Sequence, residues 1–98
     1  MIWLSGLAFA TDLSITIVDS QSGAPISGAT ARCLPVHPND IVGGRSDKEG
    51  ELNIFCEPGD RDVEVFHDNY GRKRLSYKLK RGAQIDLRFR LSKPAELV

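Results

Sequence analysis

Gln84-Ile85-Asp86-Leu87-Arg88-Phe89-Arg90-Leu91 alternates polar and apolar residues without a break. In an extended chain successive side chains point to opposite sides. Ile85, Leu87, Phe89 and Leu91 therefore line one face, and Gln84, Asp86, Arg88 and Arg90 the other. This is the pattern of a half-buried β-strand. The residues before it, Lys80 to Ala83, turn around Gly82. Arg72 to Leu79 then alternates again, with Leu75, Tyr77 and Leu79 in one phase. Two strands joined by so short a turn read as neighbours in one sheet.

Further toward the N-terminus the same period recurs. Arg61 to His67 places Val63 and Val65 inward, and Glu51 to Glu57 places Leu52, Ile54 and Cys56 inward. Pro58-Gly59 between them predicts a tight turn. With those two residues at its centre, Ile54 faces Val63, Leu52 faces Val65 and Asn53 faces Glu64. Ala29 to Leu34 carries Ala29, Ala31 and Cys33 in one phase, and Leu13 to Asp19 carries Leu13, Ile15 and Ile17. A short strand at Arg45 to Asp47 makes the seventh. Ser20 to Ser27 and Val36 to Gly44, rich in Gly and Pro, are loops, and no run has helical spacing. The expectation is an all-β, seven-stranded antiparallel Greek-key sandwich of Ig-like shape.

At 98 residues the chain holds one domain, expected at 12–92 with a short tail at 93–98. A hydrophobic content of 41% suits a globular fold and argues against disorder. Residues 1–10, ending in Ala8-Phe9-Ala10, look like the end of a secretory signal peptide cut after Ala10. The run is too short to span a bilayer, which needs about 20 apolar residues. No basic stretch precedes it. The expected destination is periplasmic or secreted, with no membrane span once the signal is removed.

Cys33 and Cys56 both take the inward phase of their strands. In an exported protein they read as a disulfide across the core. The alternative is two buried thiols that never meet. His37 and His67 are the only histidines, and nothing around them makes a metal-ligand set. No Ser-His-Asp, Cys-His or paired-carboxylate arrangement appears, so no catalytic residue and no cofactor is expected.

The formal net charge of zero hides an uneven distribution. Thr11 to Gly71 holds 4 Lys/Arg against 11 Asp/Glu, whereas Arg72 to Lys93 holds 9 Lys/Arg against Asp86 alone. If the last two strands are neighbours, Arg72, Arg74, Lys78, Lys80, Arg88 and Arg90 share a basic face with Lys73 beside it. Such a face would attract an anionic glycan, an anionic lipid or an acidic envelope protein. It lacks the interleaved aromatics that stack nucleic-acid bases, so nucleic acid is not an expected partner. The same charges also serve to keep an exposed edge from pairing with other strands. Phe55 and Phe66, in the outward phase, suggest either a small apolar docking patch or positions covered by loops.

Three elements of the chain resemble the carboxypeptidase regulatory-like domain. Gly23-Ala24-Pro25-Ile26-Ser27-Gly28-Ala29-Thr30 is similar to its G-x-P-[LIV]-x-G-A-x-V signature. Ser46-Asp47-Lys48-Glu49-Gly50-Glu51-Leu52 is similar to its [ST]-D-x-x-G-x-[FYL] element. Pro58-Gly59-Asp60 to Phe66, followed by Asn69-Tyr70-Gly71, looks like its third element. Asp62 stands where the family often has an aromatic, which predicts a weaker core position there. The resemblance spans Leu13 to Leu91. It implies a transthyretin-like sandwich that serves as an accessory or scaffolding module without catalytic residues. The reading is an exported, non-catalytic structural or protein-interaction module. The alternative is a carbohydrate- or anionic-lipid-binding module using the basic face.

Overall fold

The computed structural model describes residues 10–93, so the expected leader, apart from Ala10, and residues 94–98 lie outside the described residues. Six strands are present among them: β1 (Thr11–Asp19), β2 (Thr30–Leu34), β3 (Glu51–Cys56), β4 (Gly59–Phe66), β5 (Arg72–Leu79) and β6 (Gln84–Leu91). They form two three-stranded sheets, ordered β3-β1-β6 and β2-β4-β5. Every pairing is antiparallel except that of β1 with β6, which is parallel, so the expected wholly antiparallel arrangement is corrected at that pair.

Alternation decides what lies between the sheets. Leu13 stands between Ile54 and Ile85, and Ile15 between Leu52 and Leu87, all on the inner face of the first sheet. Ala31 and Val65, and Cys33 and Val63, are matched pairs on the inner face of the second. These residues join Ile17, Leu79, Phe89 and Leu91 in one core cluster. Each large aliphatic or aromatic side chain withdrawn from water there contributes about 1.5–3 kcal/mol.

Two further expectations need correction. The seventh strand is absent: Arg45 to Asp47 is an extended loop segment, not a strand. Ser46 N–H donates to the Ala29 carbonyl and Gly28 N–H to the Ser46 carbonyl. The Ala29 N–H, however, goes to Ser46 Oγ at 2.8 Å, and that hydroxyl donates to the Ile26 carbonyl. A side chain has taken the place of a backbone partner, so no ladder propagates.

The second correction concerns Pro58-Gly59, which does not close a hairpin. It carries the chain from one sheet to the other, because β3 pairs with β1 while β4 lies between β2 and β5. Ile54 and Val63 do belong to the same core, but from opposite sheets. Alternation specifies which side chains face the core. It does not specify whether two such strands lie side by side or face to face.

The motif Ser46 to Leu52 acts as a fastener between the sheets' connections. Asp47 Oδ1 accepts the N–H groups of Glu49 and Glu51, both at 2.9 Å, and Gly50 N–H returns to the Asp47 carbonyl. The turn then docks on β1, where Ile17 N–H donates to the Gly50 carbonyl. Gly50 has a φ of +78°, and a Cβ there would sit 2.5 Å from the Ile17 carbonyl oxygen. Only glycine meets both demands.

Candidate functional site

Cys33 on β2 and Cys56 at the end of β3 form a disulfide that joins the two sheets, with Cα atoms 6.3 Å apart and both residues buried. It closes a loop of 23 residues, which in the chain-entropy model contributes about 3 kcal/mol. Of the two alternatives the sequence left open, the paired one holds. No helix among the described residues is long and apolar enough to cross a membrane.

The six basic candidates do not share one face. β5 and β6 are connected in sequence but are edge strands of different sheets. Arg72, Arg74 and Lys78 stand on the outer face of the β2-β4-β5 sheet, Arg88 and Arg90 on the outer face of the other, and Lys80 follows β5 in the turn. The register with β4 sets Arg74 opposite Glu64, Ser76 opposite Asp62 and Arg72 opposite Phe66. Acid and base therefore interleave.

Arg74 Nε donates to Asp62 Oδ2 at 2.7 Å, and Ser76 Oγ donates to Asp62 Oδ1 at 2.6 Å. The Ser76 hydroxyl and the Arg74 guanidinium hold the Asp62 carboxyl below its ordinary value. Asp62 thus faces outward, and no core position is weakened by it. Glu64 binds Arg32 at 2.8 Å and Arg72 at 3.2 Å. Burial disfavours its charge, but the two guanidinium groups outweigh burial and keep its carboxyl below the usual range. Both arginines also lie over the Phe66 ring, at 5.8 and 5.3 Å from its centroid. This face is charge-compensated, and the premise of a continuous anion-attracting surface across β5 and β6 does not hold.

Phe55 and Phe66 are also separated. Phe55 belongs to β3 and bridges to Ile41, whereas Phe66 belongs to β4 in the other sheet. They make no common patch. His37 is exposed in a loop, and His67 meets Tyr70 edge-to-face at 5.4 Å while its Nδ1 accepts the Asn69 N–H. Among the described residues no group of three or more His, Cys, Asp or Glu is placed to hold a metal ion.

A polar site inside the fold escaped the sequence reading. Arg61 lies on the inward phase of β4, two residues before Val63, and its side chain is 4% exposed. It pairs with Asp40 at 2.7 Å and also donates to the carbonyls of Glu57 and Pro35. Asp40 additionally accepts the N–H groups of Glu57 and His37. Burial pushes the Asp40 carboxyl up, but these donors and the Arg61 charge leave it below its ordinary value. The pair clamps the loop after β2 against the crossover between sheets. The signal was available as an arginine in phase with valines, but its partner sits in a loop 21 residues away.

At the opposite end Asp19 closes β1. Its carboxylate accepts the N–H groups of Ser22 and Gln21 and the Tyr70 hydroxyl at 2.8 Å. The Ser22 N–H first, then Tyr70 and Gln21, lower its pKa to about 2. Tyr70 thereby ties the β4–β5 connection to the end of β1.

No protein-family model matches the chain, and no curated protein matches it. Among solved structures it is similar to a phospholipase, PlaB from Legionella pneumophila, with a TM-score of 0.59 at 12% identity. The likeness covers 87% of this chain and 25% of that one. At that identity the shared property is the fold, and the chain spans about a quarter of the neighbour's length.

Proposed function

We propose that this chain is an exported, non-catalytic structural or interaction module of carboxypeptidase regulatory-like type, with a Greek-key, transthyretin-like sandwich that docks to an envelope protein. The observation that carries the reading is where the motif residues are spent. Ser46, Asp47 and Gly50 all act within the scaffold, fastening loops to strands. The disulfide between sheets supports export, because such a bond persists in an oxidising compartment. A fold shared with about a quarter of a larger chain supports an accessory role.

The test is to express the full chain in a bacterium with intact export machinery, fractionate the cells and sequence the mature N-terminus. The expected product lies outside the cytoplasm, begins at Thr11 and has no free thiol. In-cell cross-linking through Lys78 and Lys80 should then join it repeatedly to one envelope protein. A cytoplasmic chain with two free thiols would overturn export. Cross-links spread over unrelated proteins would overturn the docking role.

A further inference from the structure

Each sheet leaves two edges: β3 and β6 in one, β2 and β5 in the other. An unpaired edge offers N–H and C=O groups to any extended chain. Three of these edges are blunted. β2 is five residues long and runs into Pro35, which has no N–H to offer. β3 is occupied at Phe55, whose N–H and C=O both bond Ile41. β5 carries Arg72, Lys73, Arg74 and Lys78 with no acid, so a second β5 would meet like charge. That leaves β6, eight residues without glycine or proline, whose open side is taken only just beyond the strand's end, where the Ser92 carbonyl accepts the Gly71 N–H.

The free side of β6 can be assigned residue by residue. The Ala83 carbonyl accepts from Asp12 and the Leu91 carbonyl from Ser20. Odd-numbered residues therefore turn their backbone toward β1. Gln84, Asp86, Arg88 and Arg90 turn theirs to the open side. Asp86, Arg88 and Arg90 are exposed on the outer face, and Ile85 and Leu87 are only half-buried on the inner one.

We propose that β6 is the seam of a two-fold dimer, pairing antiparallel with β6 of a second copy about Leu87. In that register Asp86 faces Arg88 of the other copy, and Arg88 faces its Asp86. Gln84 faces Arg90 on the same outer face. On the inner face Leu87 meets Leu87 and Ile85 meets Phe89. Hydrogen bonding requires even residues opposite even residues, so the adjacent registers centre on Asp86 or on Arg88. The first sets carboxylate against carboxylate and the second guanidinium against guanidinium. Opposite charges flanking a leucine thus select a second copy of this chain and one alignment of it. The second copy also covers Ile85 and Leu87, and it merges the two β3-β1-β6 sheets into one of six strands.

Sedimentation velocity on the full chain tests this, with circular dichroism to confirm that each variant folds. The wild type is expected to sediment as a dimer. Asp86→Arg and Arg88→Asp each place like charges opposite one another twice by symmetry and should weaken association at least about tenfold. The exchanged double variant D86R/R88D should dimerise again, because each new charge faces its complement. Wild type that stays monomeric up to about 1 mM, where even a weak self-contact is half-formed, overturns the proposal and leaves the edge to a strand of another protein. A dimer indifferent to both single substitutions, or one that the double variant does not restore, also overturns it.

Discussion

Gly50 shows how much one hydrogen atom in place of a methyl group can decide. Its φ is positive, and a Cβ on it would stand 2.5 Å from the Ile17 carbonyl oxygen, which leaves no room for alanine. Gly50→Ala should destabilise the fold by about 2 kcal/mol or more, read as a lower midpoint in urea denaturation. Asp40 is a second such residue. Asp40→Ala leaves the Arg61 guanidinium buried without its counter-charge and should cost about 3–5 kcal/mol. Asp40→Asn, which keeps an acceptor, should cost less. The motif Asp47-x-x-Gly50 was legible because it is local: four residues contain the whole turn. Asp40 was not, because nothing in a proline-rich loop signals a partner on β4.

Between elements, the disulfide and the ion-pair ladder differ in worth. Cys33→Ala/Cys56→Ala, or reduction of the wild type, should lower stability by about 3 kcal/mol, measured as a fall in thermal midpoint. Arg74→Ala should change stability by no more than about 0.5 kcal/mol, because an exposed pair is screened by water and salt. All six strands were legible to within two residues, since alternation is carried by each segment alone. Their partners were not. The β3–β4 and β5–β6 connections are as short as hairpin turns, yet both cross between sheets. The expected basic face failed with that assumption. The signal against it was present in β4, whose acids Asp62 and Glu64 share the period of the β5 arginines.

At the scale of the molecule, four carboxylates among the described residues (Asp19, Asp40, Asp62 and Glu64) are held below their ordinary values. A group with a depressed folded pKa binds protons more readily when unfolded. Its stabilisation is complete above the unfolded pKa and fades as pH falls through the folded one. Thermal midpoints should therefore be level near neutrality and fall below about pH 4. The Asp19 contribution should persist longest, toward pH 2. A Tyr70→Phe variant removes one donor to Asp19, so it should lose part of its stability difference from wild type as the solution becomes acidic. A midpoint that rose on acidification would contradict this assignment.

Periodicity and turn chemistry in the chain determined by themselves that it is all-β, where the six strands lie and that both cysteines face inward, and they set the inward phase of each strand, although Leu75 in that phase is exposed and Arg61 in it is buried. Each of those properties depends on neighbours a few residues away. Tertiary structure alone decided that β1 runs parallel to β6, that every consecutive pair of strands except β4 and β5 is split between the two sheets and that Arg61 meets Asp40. Those outcomes depend on how two apolar faces close over one another. Many pairings of the same strands bury the same side chains, and only packing in three dimensions distinguishes among them.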